Sequence, residues 1–355
     1  MDVNTGEVLS MASYPDYDPN SWVGGISQTD YKALQENNAL YNRAIAGTYA
    51  PGSTFKMVTA LTGLETGEIT IDEKIRDNGI YTRYRDYQPR CWLYTQSRRT
   101  HGYLNVSSAI QHSCNYFFYE VGYRVGIDNI IKYANYLGLG KKTGIELTGE
   151  VNGTVASPEA AEKNREIWTD GQVLATAIGQ SYNAFTPLQM AKYISTLANG
   201  GNHVTPTIVK TIINAEGSEV SKEEIQQTAD ERLGRENTQE EDLNISEENL
   251  AAILEGMRGV TSESGGTAYS IFRNFNIEIG GKTGSAQTGQ STNAWFVGFA
   301  PYDNPEIAVV VIIENGGSGS LACYAARDIL AQYFGMNEAD VEENLTAIPY
   351  TEQQN

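Results

Sequence analysis

Ser53 and Lys56 stand three residues apart in the run Ser53-Thr54-Phe55-Lys56. A serine hydroxyl becomes a strong nucleophile only beside a group that takes its proton. A spacing of three puts Lys56 one helical turn on, on the same face as Ser53. Pro51 and Gly52 break the chain just before the serine, and residues 53–67 then read as a helix ended at Gly67. Ser53 would lie at the N-terminus of that helix, where free N–H groups and the dipole favour developing negative charge. Phe55, Val58, Leu61 and Leu64 mark the helix as largely buried, so Lys56 is desolvated and its pKa falls toward that of a usable base. The plain alternative is an N-cap serine followed by a snorkelling lysine.

Two further runs complete a constellation. Ser113 and Asn115 lie in the aromatic-rich segment 106–126, which reads as a buried helix end and loop. Ser113 could relay a proton between Lys56 and a leaving nitrogen, and Asn115 could hold Lys56 or a substrate amide. Lys282, Thr283 and Gly284 follow the strand-like segment from Asn276 and precede the apolar run 294–300. Lys282 and Thr283 would offer a cation and a hydroxyl to a substrate carboxylate. The backbone N–H groups of Ser53 and Ser285 form the natural oxyanion hole.

Chance has to be weighed against this. A Ser-x-x-Lys run arises roughly once in a few hundred residues at average usage. Lys-Thr-Gly also occurs twice, at Lys142-Thr143-Gly144 and at Lys282-Thr283-Gly284. The first copy follows a helical pattern over 130–139 and a glycine stop, so it reads as a turn. The second has the context of a sheet-edge strand and is the copy assigned to the site.

The runs Ser-x-x-Lys, Ser-x-Asn and Lys-Thr-Gly, in this order, are the motifs of penicillin-binding proteins and class A β-lactamases. Most of the chain resembles the transpeptidase domain of a class B penicillin-binding protein. Segments 1–20, 41–65, 100–122, 137–147, 177–201, 280–287 and 293–301 each resemble a block of that family. The surroundings resemble the elongation-type branch more than the division-type branch. Ser181 stands where the family pattern usually has glycine, and Ser285 where threonine is commoner.

The resemblance implies an α+β fold, an antiparallel sheet flanked by helices plus a mostly helical lobe. It implies one transpeptidase domain over 1–355. The helical lobe covers about 47–200, the sheet lobe 1–46 and about 260–335, and the tail 336–355. The sheet is expected to use an N-terminal strand pair and segments 277–286, 293–301 and 306–314, closed by a C-terminal helix over 320–335. The active site belongs in the cleft between the lobes. The implied reaction is D,D-transpeptidation, in which Ser53 attacks a stem peptide's terminal D-Ala-D-Ala and a neighbouring stem's amine takes the acyl group. β-Lactams would acylate the same serine. A D,D-carboxypeptidase, a β-lactamase and a non-enzymatic β-lactam sensor or scaffold are the competing readings. A class A β-lactamase needs a positioned glutamate that the sequence does not single out. The resemblance also implies an N-terminal membrane anchor, a pedestal domain and a cell-wall glycosyltransferase partner. The site would then face outward from the cytoplasmic membrane. The chain itself has no run of about 18 apolar residues and no visible signal peptide, so it reads as a fragment.

Bulk properties set limits. The chain carries 44 acidic and 25 Lys or Arg residues over 355, a formal net charge of −19, which argues against a nucleic-acid partner. Much of the acidity lies in 215–250, expected as an exposed loop and helix cap. The basic, aromatic segment 82–102 reads as a surface loop or a glycan- or peptide-contacting one. Cys91, Cys114 and Cys323 show no framework spacing, and no disulfide is expected. His101, His112 and His203 fit no helical zinc motif. Asp86, Cys91 and His101 are close enough in sequence to share a metal, but structural zinc usually takes four ligands. The expectation is no metal and no cofactor.

Overall fold

A computed structural model describes residues 1–234, 243–289 and 291–336. In chain order its elements are α1 (Gln28–Glu36), α2 (Lys56–Glu65), β1 (Ile75–Asp77), α3 (Trp92–Ser97), β2 (Gly102–Leu104), α4 (Val106–Gln111), α5 (Asn115–Tyr136), α6 (Pro158–Lys163), α7 (Gln172–Ala177), α8 (Pro187–Ala198), α9 (Lys222–Leu233), α10 (Glu247–Ser262), α11 (Tyr269–Phe272), β3 (Gly280–Thr288), β4 (Ser291–Ala300), β5 (Ile307–Ile313) and α12 (Gly319–Tyr333). The fold is α+β, as expected.

Strands β3, β4 and β5 form an antiparallel sheet in that order. Lys282 pairs with Val297 and Thr283 with Phe296, while Trp295 pairs with Ile312. From Asn293 to Ala300 every residue of β4 is buried, because α8 and α12 pack against this strand. α10 packs against β3 and α4, and α2 packs against α5. The main apolar core runs through all these elements, from Phe55 and Leu61 on α2 to Trp295 on β4 and Leu330 on α12.

The helix expected after Ser53 begins one turn later. Gly52–Phe55 is a 3-10 turn that runs into α2. Gly67, at φ 73°, lies just past its C-terminal end, where a residue without Cβ adopts the left-handed cap. Nine of the ten residues of α2, Lys56 among them, are buried.

Three expectations need correction. The N-terminal strand pair is reduced to single bridges, Asp2 to Ile307 and Glu7 to Thr207. Asp2 Oδ1 accepts the N–H groups of Asn4 and Thr5, both at 2.8 Å, so the chain turns before a ladder can extend. Segment 82–102 is not all loop, since it contains α3 and a bridge from Ile80 to Arg90. The acidic segment contains α9, a 12-residue helix with no buried residue, N-capped by Ser221. Its residues 235–242 and the tail 337–355 lie outside the described part. Among the described residues, no helix is long and apolar enough to cross a membrane.

Candidate active site

Three elements bring the motif residues together. Ser53 enters on the 3-10 turn and Lys56 opens α2. Ser113 lies between α4 and α5, and Asn115 is the first residue of α5. Lys56 Nζ donates to Ser113 O at 2.8 Å, to Ser113 Oγ at 3.1 Å and to Asn115 Oδ1 at 2.7 Å. Lys282 Nζ arrives from β3 and donates to the same Ser113 Oγ at 2.9 Å and to Thr283 O at 3.0 Å. Ser113 Oγ therefore bridges two lysines.

Both lysines are fully buried. Burial lowers the Lys56 pKa from its usual 10.5 to about 8, against a smaller opposing pull from Cys91 and Cys114. The Lys282 pKa falls well below its ordinary value, first through burial and then through repulsion by Lys56. Two ammonium groups on one hydroxyl, away from water, disfavour double charging. The neutral member can then take the Ser113 proton, which makes Lys56, Ser113 and Lys282 a proton relay.

Ser113 has φ 53°, a left-handed conformation uncommon for serine. That backbone turns its carbonyl toward Lys56 and Trp92, whose Nε1 donates to Ser113 O at 3.0 Å. Trp92 carried no signal in the sequence, since nothing local ties residue 92 to residue 113.

The nucleophile turn lies against β3 at closest backbone range. A Cβ on Gly52 would sit 3.0 Å from Ser285 O, and one on Gly284 would sit 2.9 Å from Pro51 O. Glycine at both positions lets the turn before Ser53 approach Gly284 and Ser285. Trp295 Nε1 donates to Ala50 O at 3.0 Å, and Gly52 N donates to Gly179 O at 2.9 Å, which fix the approach to the serine. Ser181, two residues on, has φ 64°. A left-handed backbone costs a residue with a Cβ about 1–2 kcal/mol, so this is a position that suits the glycine of the family pattern.

The Lys142-Thr143-Gly144 copy lies outside the sheet, in an irregular segment just past the turn over 137–140. Lys142 is exposed, and both the N–H and the Oγ1 of Thr143 bond Glu150 Oε1.

A second cluster adjoins the first. Asp77, Cys91, His101 and Cys114 place one ligand atom each within 4.8 Å of one another. Asp86 is not among them, and Asp77 and Cys114 join Cys91 and His101 instead. The β1–β2 ladder pairs Asp77 with Gly102 and so delivers His101 beside Asp77, Nδ1 to Oδ2 at 2.8 Å. Cys91 and Cys114 cap α3 and α5, with sulfurs 3.8 Å apart. Two thiolates on a tetrahedral zinc, with bonds of about 2.3 Å, stand about 3.8 Å apart. Hydrogen bonds from Cys114 and His101 bring the Cys91 thiol down to about 5, while burial holds Cys114 up. Two sulfurs, an imidazole and a carboxylate are a donor set of the kind a structural zinc takes. One equivalent of zinc is expected to raise the Tm by about 5 °C, and Cys114→Ser to abolish that rise. A melting curve that neither zinc nor a chelator moves would rule the site out.

Within a mixed α+β fold, a buried lysine one turn after a serine meets a Ser-x-Asn turn and a Lys-Thr-Gly strand. That arrangement defines a serine acyl-transferase of the penicillin-binding class. The family model of the penicillin-binding protein transpeptidase domain matches residues 1–331, and the chain belongs to that family, in its class B. Peptidoglycan D,D-transpeptidase MrdA of Escherichia coli K12, an elongation-type relative, is 33% identical over 377 residues, covering 99% of this chain and 56% of its own. Pseudomonas aeruginosa PBP2, solved in complex with WCK 5153, superposes with a TM-score of 0.83 at 33% identity, over 97% of this chain and 76% of that one. Helicobacter pylori PBP2, solved in complex with MreC, gives 0.78 at 30%, over 94% and 59%. The chain spans about half the length of the curated relatives it matches.

Proposed function

We propose that this chain is the catalytic part of a peptidoglycan D,D-transpeptidase, a single domain of two lobes, 47–200 against 1–46 and 260–335, with the site between them. The observation that carries the reading is the buried Lys56 ammonium, held by Ser113 and Asn115 one turn after Ser53 and joined through Ser113 Oγ to Lys282. Ser53 Oγ attacks the carbonyl of the penultimate D-Ala, and its proton passes into the Lys56–Ser113–Lys282 relay. The N–H groups of Ser53 and Ser285 receive the oxyanion. Collapse breaks the C–N bond, and the relay returns the proton to the departing D-Ala amine through Ser113. The acyl-enzyme then passes its acyl group to an amine of a neighbouring stem. Thr283, with Gly284 and Ser285, receives the terminal carboxylate. Lys282 was expected to offer its cation there, and its Nζ bond to Ser113 Oγ also ties it to the relay.

Relatives named D,D-transpeptidase support this reading. A related structure titled for coordination of polymerization and crosslinking by a peptidoglycan synthase complex, 32% identical, supports a glycosyltransferase partner. In the whole protein the domain would work at the outer face of the cytoplasmic membrane. The test is intact-mass spectrometry after incubation with benzylpenicillin, then peptide mapping. One covalent adduct on Ser53 is expected. An adduct on Ser113 or another serine, or fast steady turnover of a chromogenic cephalosporin, would overturn it.

A further inference from the structure

We propose that Thr267 is a positioning residue for the carboxylate-binding hydroxyl of Thr283. The inference deepens the acyl-transfer reading and rests on it. Thr267 Oγ1 and Thr283 Oγ1 are 2.6 Å apart. A hydroxyl has one proton and two acceptor sites. If Thr283 spent its proton on Thr267, only lone pairs would face an anion. The productive arrangement is the reverse, in which Thr267 donates to Thr283 Oγ1 and leaves the Thr283 proton for the carboxylate. In that chain of two hydroxyls, each bond polarises the next and strengthens donation to the anion.

The placement of Thr267 supports the role. It lies in the loop between α10 and α11, and both Thr267 and Thr283 are partly exposed, so a ligand can reach the pair. The loop is tied on both sides of the site. Gln111 Nε2 donates to Ser264 O at 3.3 Å, and a His112 Nδ1 contact to Gly265 O measures 3.1 Å. These come from the residues just before Ser113. On the other side Ala268 N donates to Val260 O at 3.0 Å, and Thr261 Oγ1 donates to Ile279 O, the residue before β3, at 2.5 Å. Thr267 thus holds the Thr283 rotamer from a loop braced to the serine turn and to the start of the strand.

The test compares benzylpenicillin, which bears a carboxylate, with its methyl ester, which does not. Thr267→Val and Thr267→Ala remove the hydroxyl, and Thr267→Ser keeps it. Expected for the free acid is a roughly tenfold loss of acylation efficiency in the Val and Ala variants, with Thr267→Ser within about twofold of the parent chain. The ester is expected to react equally, at its own lower rate, with all four proteins. Wild-type efficiency in both hydroxyl-free variants overturns the inference. So does an equal loss on acid and ester in both of them, because a merely structural role would not discriminate between the two compounds. Failure of Thr267→Ser to restore the acid reaction overturns it as well. A parent chain that takes up neither compound overturns the acyl-transfer reading, and this inference with it.

Discussion

Lys56→Arg lowers the second-order rate of acylation by benzylpenicillin by about two to four orders of magnitude, the usual contribution of a positioned general base. Arginine keeps the charge but holds its proton at any working pH. In the parent chain the same rate is expected to climb with pH and to level off above about 8, where burial has placed the Lys56 pKa. The sign follows from the direction of the shift. The pKa lies below the ordinary lysine value, so the neutral, proton-accepting form is reached at lower pH than in a free side chain. Lys56→Met, of similar volume and without charge, is expected to show the same loss and no inflection near pH 8. It also separates loss of the base from poor fit of a guanidinium in a fully buried slot. Acylation by Lys56→Arg at near the parental rate, or a parental profile flat through pH 8, would mean that the base lies elsewhere and Lys56 is a structural cation.

Lys282→Ala costs about ten- to a hundredfold in the same rate, from the loss of a charge-assisted hydrogen bond of roughly 1.5–3 kcal/mol. The bond lost is the one to Ser113 Oγ, so the relay loses one end and a buried void remains. Lys142→Ala leaves the rate unchanged, because that side chain is exposed in an irregular segment held by Glu150. One fluorescent penicillin and second-order rates for both variants are enough to decide. Equal losses, or the larger loss at Lys142, would put the wrong Lys-Thr-Gly copy in the site.

Much of the site was legible along the chain because its parts are local. The Ser53 to Lys56 spacing is a property of one helical turn. The glycine stop after 130–139 distinguishes the two Lys-Thr-Gly copies, and period and composition mark β4 as a buried strand. The α+β fold followed from the same blocks. What escaped notice depends on residues far apart in sequence. Asp77 and Cys114 join Cys91 and His101 only because β1 pairs with β2 and α5 starts beside them, whereas Asp86, nearer in sequence, stays outside. Trp92 reaches Ser113 O, and Thr267 reaches Thr283, across gaps that no periodicity spans. The left-handed φ of Ser113 is likewise invisible, because nothing local in the sequence requires it; at Ser181 the family's glycine was the one hint.

By itself, then, the sequence pointed to the residues proposed for acyl transfer and to the turns and strands that present them, since those readings rest on hydrogen-bond ladders and spacings of a few residues. Only the tertiary structure decided how those residues act. It buried both lysines on one hydroxyl, which lowers their pKa by desolvation and, for Lys282, also by repulsion from Lys56. It also turned Lys282 inward onto Ser113 and left Thr283 partly exposed. Desolvation and charge–charge distance are set by what packs around a group, and that packing comes from the whole chain.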